Sequence, residues 1–378
     1  MCRLKIAVKR RCGFLVYLCL TRFWVRETSF TRMTPYFFFF TALLSSLLLF
    51  ASCKRESPKV PEAIQYLSAD PEIARLSRLI EQNPKADSLY YLRAETYYQL
   101  DGLDEALADL QMAMSIDSMK PQYYHLLADV LIDYARPNDS KRAIDVLTLA
   151  AERFPGRIPT LLKLSEFQLI VRQHSSALAT LDRIFQIEPQ NPEAFFMAGR
   201  IALDMGDTIK AIAAFKKSVQ YESNNADAWF FLGRIYLNQN NPQALQCFDN
   251  VLRVDSTHME AREFKAVFYK TRGEFNKAFE IYRDIVRRNP DYSNAYFDMG
   301  TIYLEMDSLL KAYDHFNLAV KTDPLFVMAY YYRGLTSELL GNIEAARADY
   351  KQASKMSPDY AEPKEALERL EKQKKLQQ

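Results

Sequence analysis

The chain has few of the residues from which catalytic and metal sites are built. Its 378 residues include only four histidines, which lie far apart, and none belongs to a His-Glu-x-x-His zinc motif. The sequence also lacks a glycine-rich phosphate-binding loop and a Gly-x-Ser-x-Gly nucleophile elbow. We therefore expect no catalytic residues, metal site, cofactor or small-molecule substrate, and we predict that the protein is not an enzyme.

Cysteine is scarce beyond the N-terminal region. Three of the five cysteines lie in residues 1–32, the fourth is Cys53, and Cys247 alone remains. Cys247 therefore cannot form an intramolecular disulfide once the leader is removed and Cys53 is modified. We expect it to be a small buried apolar side chain.

An excess of positive charge is also missing once the first 32 residues are set aside. These residues carry a net charge of +7, whereas the whole chain carries +2, which leaves −5 for the remainder. Nucleic-acid binding needs a concentrated basic surface. A mildly acidic remainder therefore argues against a nucleic-acid partner.

Only ten residues are glycine, and seven of these occupy two positions of a repeating pattern. Gly199, Gly233, Gly300 and Gly334 are separated by 34, 67 and 34 residues, and Ala266 fills the missing step. A common pattern follows Gly300 and Gly334 at identical distances: Tyr303, Ala312, Phe316, Ala319 and Pro324 after the first, and Ser337, Ala346, Tyr350, Ala353 and Pro358 after the second.

A 34-residue period with this signature resembles the tetratricopeptide repeat, a helix–turn–helix unit. Each unit holds two runs with apolar residues three and four apart, which predicts two amphipathic helices. The resemblance implies an all-α, right-handed α-solenoid that binds other proteins or peptide segments. We expect eight units within residues 87–360: 87–120, 121–157, 158–191, 192–225, 226–258, 259–292, 293–326 and 327–360.

We call the recurring small residue in the first helix of each unit the rung. The rungs of the eight units are Ala94, Ala128, Ser165, Gly199, Gly233, Ala266, Gly300 and Gly334. Glycine within a helix costs roughly 1 kcal/mol relative to alanine, so a glycine rung needs a packing reason. We expect close approach of the second helix there, with alanine tolerated and larger side chains rejected.

The segments flanking the repeats have their own predicted roles. Residues 61–86 look like a degenerate helical pair. Residues 361–378 combine an apolar stripe of Ala366, Leu367 and Leu370 with many charges, a pattern typical of a capping helix with one solvated face.

The N-terminal region resembles a bacterial lipoprotein signal. Residues 36–50 form an apolar run that is shorter than the roughly 20 residues of a spanning helix. The run ends in Phe50-Ala51-Ser52-Cys53, which resembles a lipobox, so Cys53 is the expected lipidation site. Residues 1–52 would then be the leader and residues 53–60 a linker. Either residues 1–32 are a long basic n-region, or Met33 is the true start.

In the tetratricopeptide family the first helices line a concave groove. Three residues before the rung, five of the eight units carry an aromatic residue; one residue after it, the first three units carry acids and the next two arginine. The predicted groove residues are Tyr91, Glu95, His125, Asp129, Phe196, Arg200, Phe230, Arg234, Phe297 and Tyr331. The alternative is that the aromatic residues pack between adjacent first helices.

These features together predict a lipid-anchored scaffold or adaptor in the bacterial cell envelope, on the outer membrane and facing the periplasm. Its arginines would favour an acidic partner segment, and its N-terminal acids a basic one. Two alternatives remain at this stage: a structural component of a secretion or gliding machine, and a cell-wall glycan binder that stacks sugars on the aromatic row.

Overall fold

The structure, a computed structural model, describes residues 70–377. Cys53, Met33, the leader, the linker and residues 61–69 lie outside this range. The described part of 61–86 contains one helix, α1 (Pro71–Gln82). Its N-terminus is capped by Asp70, whose side chain accepts hydrogen bonds from the backbone N–H groups of Glu72 and Ile73.

The eight units that follow each contain two helices. The first helices are α2 (Asp87–Gln99), α4 (Pro121–Tyr134), α6 (Ile158–Ile170), α8 (Pro192–Asp204), α10 (Ala226–Asn238), α12 (Met259–Lys270), α14 (Ser293–Glu305) and α16 (Val327–Leu339). The second helices are α3 (Leu103–Ile116), α5 (Asp139–Arg153), α7 (His174–Ile187), α9 (Thr208–Tyr221), α11 (Gln243–Val254), α13 (Phe275–Arg288), α15 (Leu309–Thr322) and α17 (Ile343–Met356). The last helix, α18 (Ala361–Gln377), packs on α17 through the buried side chains of Ala366 and Leu370.

Within residues 70–377 all eighteen helices follow one another as a stack without strands, which confirms the predicted all-α solenoid. Each first helix packs on the second helix of its unit, and each second helix packs on the next unit. First helices also contact each other between neighbouring units, as α6 contacts α8 and α10 contacts α12. Successive first helices thus approach each other more closely than successive second helices do. The stack therefore bends towards the first helices, which line its concave face. No helix in the described range is both long and apolar enough to cross a bilayer.

The glycine rungs lie against aromatic rings of the second helix. A Cβ added to Gly199 would come within 2.5 Å of the Phe215 ring, and one added to Gly300 within 2.7 Å of the Phe316 ring. Gly233 and Gly334 are equally close to the rings of Phe248 and Tyr350. The close approach that we predicted is confirmed. A methyl group at these four glycines would require the facing buried ring to shift, which argues against the expected tolerance of alanine in these units.

Both kinds of connection between helices are regular. Seven residues after every rung the backbone turns left-handed, with φ between 52° and 82°, as at Arg172 and Gly206. The chain needs this conformation to end the first helix, and glycine adopts it without strain. The connection from each second helix to the following first helix is four residues long in every case, for example residues 117–120 and 222–225.

Candidate binding surface on the concave face

The first helices of the second, third and fourth units are joined by ion pairs. Lys163 on α6 contacts Asp129 on α4 at 2.7 Å, and Arg200 on α8 contacts Glu166 on α6 at 3.3 Å. We call these four residues the ion-pair ladder. Arg200 was predicted to be a free cation for a ligand, and the structure instead gives it a partner within the protein. Asp129 and Glu166 are likewise paired rather than free for a basic ligand.

The surroundings of the ladder shift the pKa values of two predicted groove residues. Burial raises the pKa of Asp129, and the nearby Lys163 ammonium partly opposes this shift. Burial lowers the pKa of His125 to about 4, with a further contribution from Lys163 and Arg157. His125 is therefore neutral at neutral pH, and its Nε2 lies 2.9 Å from the Thr160 hydroxyl on α6.

The N-terminal end of the concave face is acidic and contains tyrosines. Glu95 and Tyr91 are half-buried on α2, and the Tyr91 ring stacks on Tyr123 of α4 at a centroid distance of 5.0 Å. Two turns after Tyr91 on α2, the Tyr98 hydroxyl donates to Asp133 of α4 at 2.6 Å. Tyr91 and Tyr98 therefore join neighbouring first helices, as the packing alternative predicted.

The aromatic row continues this packing through the later units. Phe196 lies against Phe215 of its own second helix and Phe231 of the next first helix. Phe297 contacts Phe316 and Tyr332 in the same manner, and Tyr331 contacts Tyr350. These three predicted anchors are half-buried, so part of each ring is committed to the core.

Phe230 does not belong to an open groove. Only 7% of it is exposed, and its ring packs between Phe248 and Phe264. The prediction that Phe230 is a ligand-facing anchor is therefore wrong. Its position three residues before the rung places Phe230 on the first helix as predicted. How deeply the side chain is buried depends on how closely the next unit approaches.

Arg234 is the exposed cation of this face. Its guanidinium lies 5.7 Å from the Phe230 ring centroid and 5.5 Å from that of Phe264. Among the described residues, no carboxylate comes within ion-pair distance of Arg234. Cation–π attraction to these two rings favours this position of the guanidinium, and its hydrogen-bond donors remain available.

A cleft of about 540 Å³ opens between α6, α8 and α10, and its one lining residue from α10, Phe231, precedes Arg234 by three residues. It is lined by Leu169, Ile170, Arg172, Arg200, Leu203, Asp204 and Phe231. Of these, only Arg200 was predicted from the sequence. The signal that would have found the cleft is the residue four positions after the rung, which is leucine in the third and fourth units and lies one turn beyond the predicted stripe.

Within residues 70–377 no cluster of three or more His, Cys, Asp or Glu side chains has metal-binding geometry. Cys247 is buried, and burial raises the pKa of its thiol to about 12, so it is protonated at neutral pH. A second cleft of about 690 Å³, which includes Phe154 and Arg157, lies at the connections between units rather than on the concave face.

Comparison with known proteins agrees with the repeat geometry. Two family models, each described as a tetratricopeptide repeat, match residues 202–266 and 297–361. The human tetratricopeptide repeat protein 6 is 32% identical over 101 residues, which is 27% of this chain and 19% of that protein. A UDP-N-acetylglucosamine–peptide N-acetylglucosaminyltransferase of Giardia intestinalis is 25% identical over 117 residues, 31% of this chain and 8% of the enzyme. The match thus spans less than a fifth of either relative.

A solved structure shows the same fold over a longer stretch. The tetratricopeptide repeat protein from Parabacteroides merdae is 21% identical, with a TM-score of 0.50, and the match covers 66% of this chain and 99% of that one. Proteins built only from such repeats are typically non-catalytic binding scaffolds. The two family matches and the helix-pair geometry together support a tetratricopeptide repeat protein.

Proposed function

We propose that this protein is a lipid-anchored scaffold of the bacterial cell envelope, which holds segments of other proteins on its concave face. The observation that carries the binding role is the cleft between the first helices α6, α8 and α10, whose leucine, isoleucine and phenylalanine walls lie one helical turn from the exposed Arg234. Aromatic and arginine side chains dominate binding energy at protein interfaces. The repeats themselves indicate a protein-interaction role.

The dimensions of the groove suit an extended segment. Helices pack about 10 Å apart, so eight units give a path of roughly 80 Å along the first helices. An extended chain rises about 3.3 Å per residue, so the groove accommodates on the order of 20 residues. Tight turns and ordered loops of a folded partner would use a smaller part of the same face.

Photo-crosslinking in living cells tests the binding role. A photoreactive amino acid would replace Ile170, which is 53% exposed at the edge of the cleft, and in a control variant Lys351, which is exposed on the second helix α17. We expect partner proteins to crosslink from position 170 and not from position 351. Equal crosslinking from both positions would contradict a concave binding surface.

The envelope location rests on the sequence before residue 70. We propose that the signal is cleaved before Cys53, whose sulfur then receives a diacylglyceryl group, and that the chain remains on the outer membrane facing the periplasm. Replacing Cys53 with serine should leave an uncleaved or soluble precursor. Mass spectrometry of the mature protein provides the direct check, since an unmodified Cys53 is incompatible with the anchor.

A further inference from the structure

The ion-pair ladder stops in the middle of the concave face. Asp129 pairs with Lys163, and Glu166 pairs with Arg200, so each acid has a cation on the next first helix. The next unit presents a second arginine at the same repeat position, Arg234, and the unit after it presents Val267. The ladder therefore ends in one cation that no described carboxylate neutralises.

The cleft lies beside this uncompensated cation. Phe231 lines the cleft and precedes Arg234 by three residues on α10, so the two side chains project from the same face of that helix. Leu169 and Leu203 supply the other apolar walls. Arg234 does not itself line the cleft, but it lies about one helical turn, roughly 5 Å, along α10 from Phe231, within reach of a neighbouring side chain of the same bound segment.

The acids near the cleft do not compete for Arg234, because each already has a partner. Asp204 contacts Nε2 of His174 at 2.6 Å and Arg172 at 3.9 Å. Glu166 is occupied by Arg200 in the ladder. A basic ligand would therefore meet Arg172, Arg200 and Arg234, whereas an acidic one would supply the missing charge.

From this arrangement we propose that the cleft between α6, α8 and α10 binds an acidic, apolar segment of a partner protein in extended conformation. A bulky apolar side chain enters the cleft between Leu169, Leu203 and Phe231. An aspartate or glutamate two or three residues away pairs with Arg234, which the Phe230 and Phe264 rings hold in position. This inference deepens the proposed function and rests on its concave binding surface.

Peptide binding to the purified full-length protein tests the proposal. The probe is a fluorescent peptide of about ten residues that alternates leucine or phenylalanine with glutamate, so that it spans the cleft when extended. Two counterparts carry glutamine or lysine in place of every glutamate. We expect fluorescence anisotropy to show that the glutamate peptide binds roughly tenfold more tightly than the glutamine peptide, because it alone can pair with Arg234.

Two variants and a control assign that preference to the site. Arg234→Gln should remove the difference between the glutamate and glutamine peptides. Leu203→Ser should weaken both peptides by a similar factor, since it opens the apolar wall. Lys351→Gln, which removes an exposed cation from the second helix α17, should change neither affinity. Circular dichroism confirms that each variant keeps its helical content.

The inference is overturned if the glutamate and glutamine peptides bind equally, if the lysine peptide binds best, if no peptide binds, or if Arg234→Gln keeps the difference. Photo-crosslinking from position 170 separates this outcome from failure of the scaffold itself. Partners captured there without a peptide preference for acid would leave the scaffold in place and exclude the acidic ligand. Loss of both signals would reject both proposals.

Discussion

The first three units and the glycine-containing units close the same helix pair in two different ways. In units one to three the rungs are Ala94, Ala128 and Ser165, and the facing positions on the second helix are leucines: Leu110, Leu147 and Leu181. In units four, five, seven and eight the rung is glycine, and the facing residue is phenylalanine or tyrosine. All of these facing side chains are almost completely buried.

The comparison shows that packing constrains the combined size of the rung and the residue facing it on the second helix more than the size of either residue alone. A methyl group lost from the first helix is replaced by a larger ring on the second, which keeps the interior filled. The sixth unit combines Ala266 with Tyr282, whose hydroxyl donates to Asp298 of the next unit at 2.9 Å. There the tyrosine extends to a neighbouring unit, whereas Tyr350 donates to Glu338 within its own unit.

Replacing a glycine rung with alanine, while the facing aromatic ring is kept, should cause the largest loss of stability. Gly300→Ala would place a Cβ within 2.7 Å of the Phe316 ring, so we expect the free energy of unfolding to fall by about 1–3 kcal/mol. Urea denaturation followed by circular dichroism measures this loss. A melt of Gly300→Ala that overlays the parent would contradict the packing account.

The double variant Gly300→Ala/Phe316→Leu is the matched control, because it installs the pairing of units one and two. We expect it to be more stable than Gly300→Ala alone, since leucine relieves the overlap. Because each unit contacts only its neighbours, the loss in the single variant should begin locally.

A second difference between units one to three and the glycine-containing units is the partly buried histidine His125 of unit two. Neutral His125 belongs to the second unit, where burial holds its pKa at about 4, below the 6.5 of a free histidine. The unfolded chain therefore binds this proton more readily, and stability falls as pH decreases from about 6.5 towards 4. We expect a loss of roughly 2–3 kcal/mol over this window from His125.

The variant His125→Gln isolates this effect, since glutamine has no titrating group and can still bond to Thr160. The neighbouring Asp129 acts in the opposite direction, because burial raises its pKa and its protonation favours the folded state. Urea denaturation at several pH values between 4 and 7 should show a flatter pH dependence in His125→Gln than in the parent. An unchanged slope would show that His125 is solvated.

The sequence predicted the fold and the pairing of helices within each unit, but not which side chains of the first helices remain accessible. The 34-residue period identifies the helix pairs because periodicity follows directly from stacking. It cannot show that Phe230 is buried or that Arg200 is paired with Glu166, because both depend on the distance to the next unit. The close contact that opposes alanine at the glycine rungs has a related cause, since the position of the facing ring is set by tertiary packing.

The connection between successive units has a constant length of four residues, whereas the length of the chain within a unit varies. Unit two has about three extra residues around Arg136 and unit five has one fewer around Asn241, and both changes fall where the first helix of a unit ends and its second helix begins. Each second helix still reaches the next first helix by the same short path. One edge of the solenoid can therefore accept inserted loops or fused domains while the spacing of the concave face stays the same.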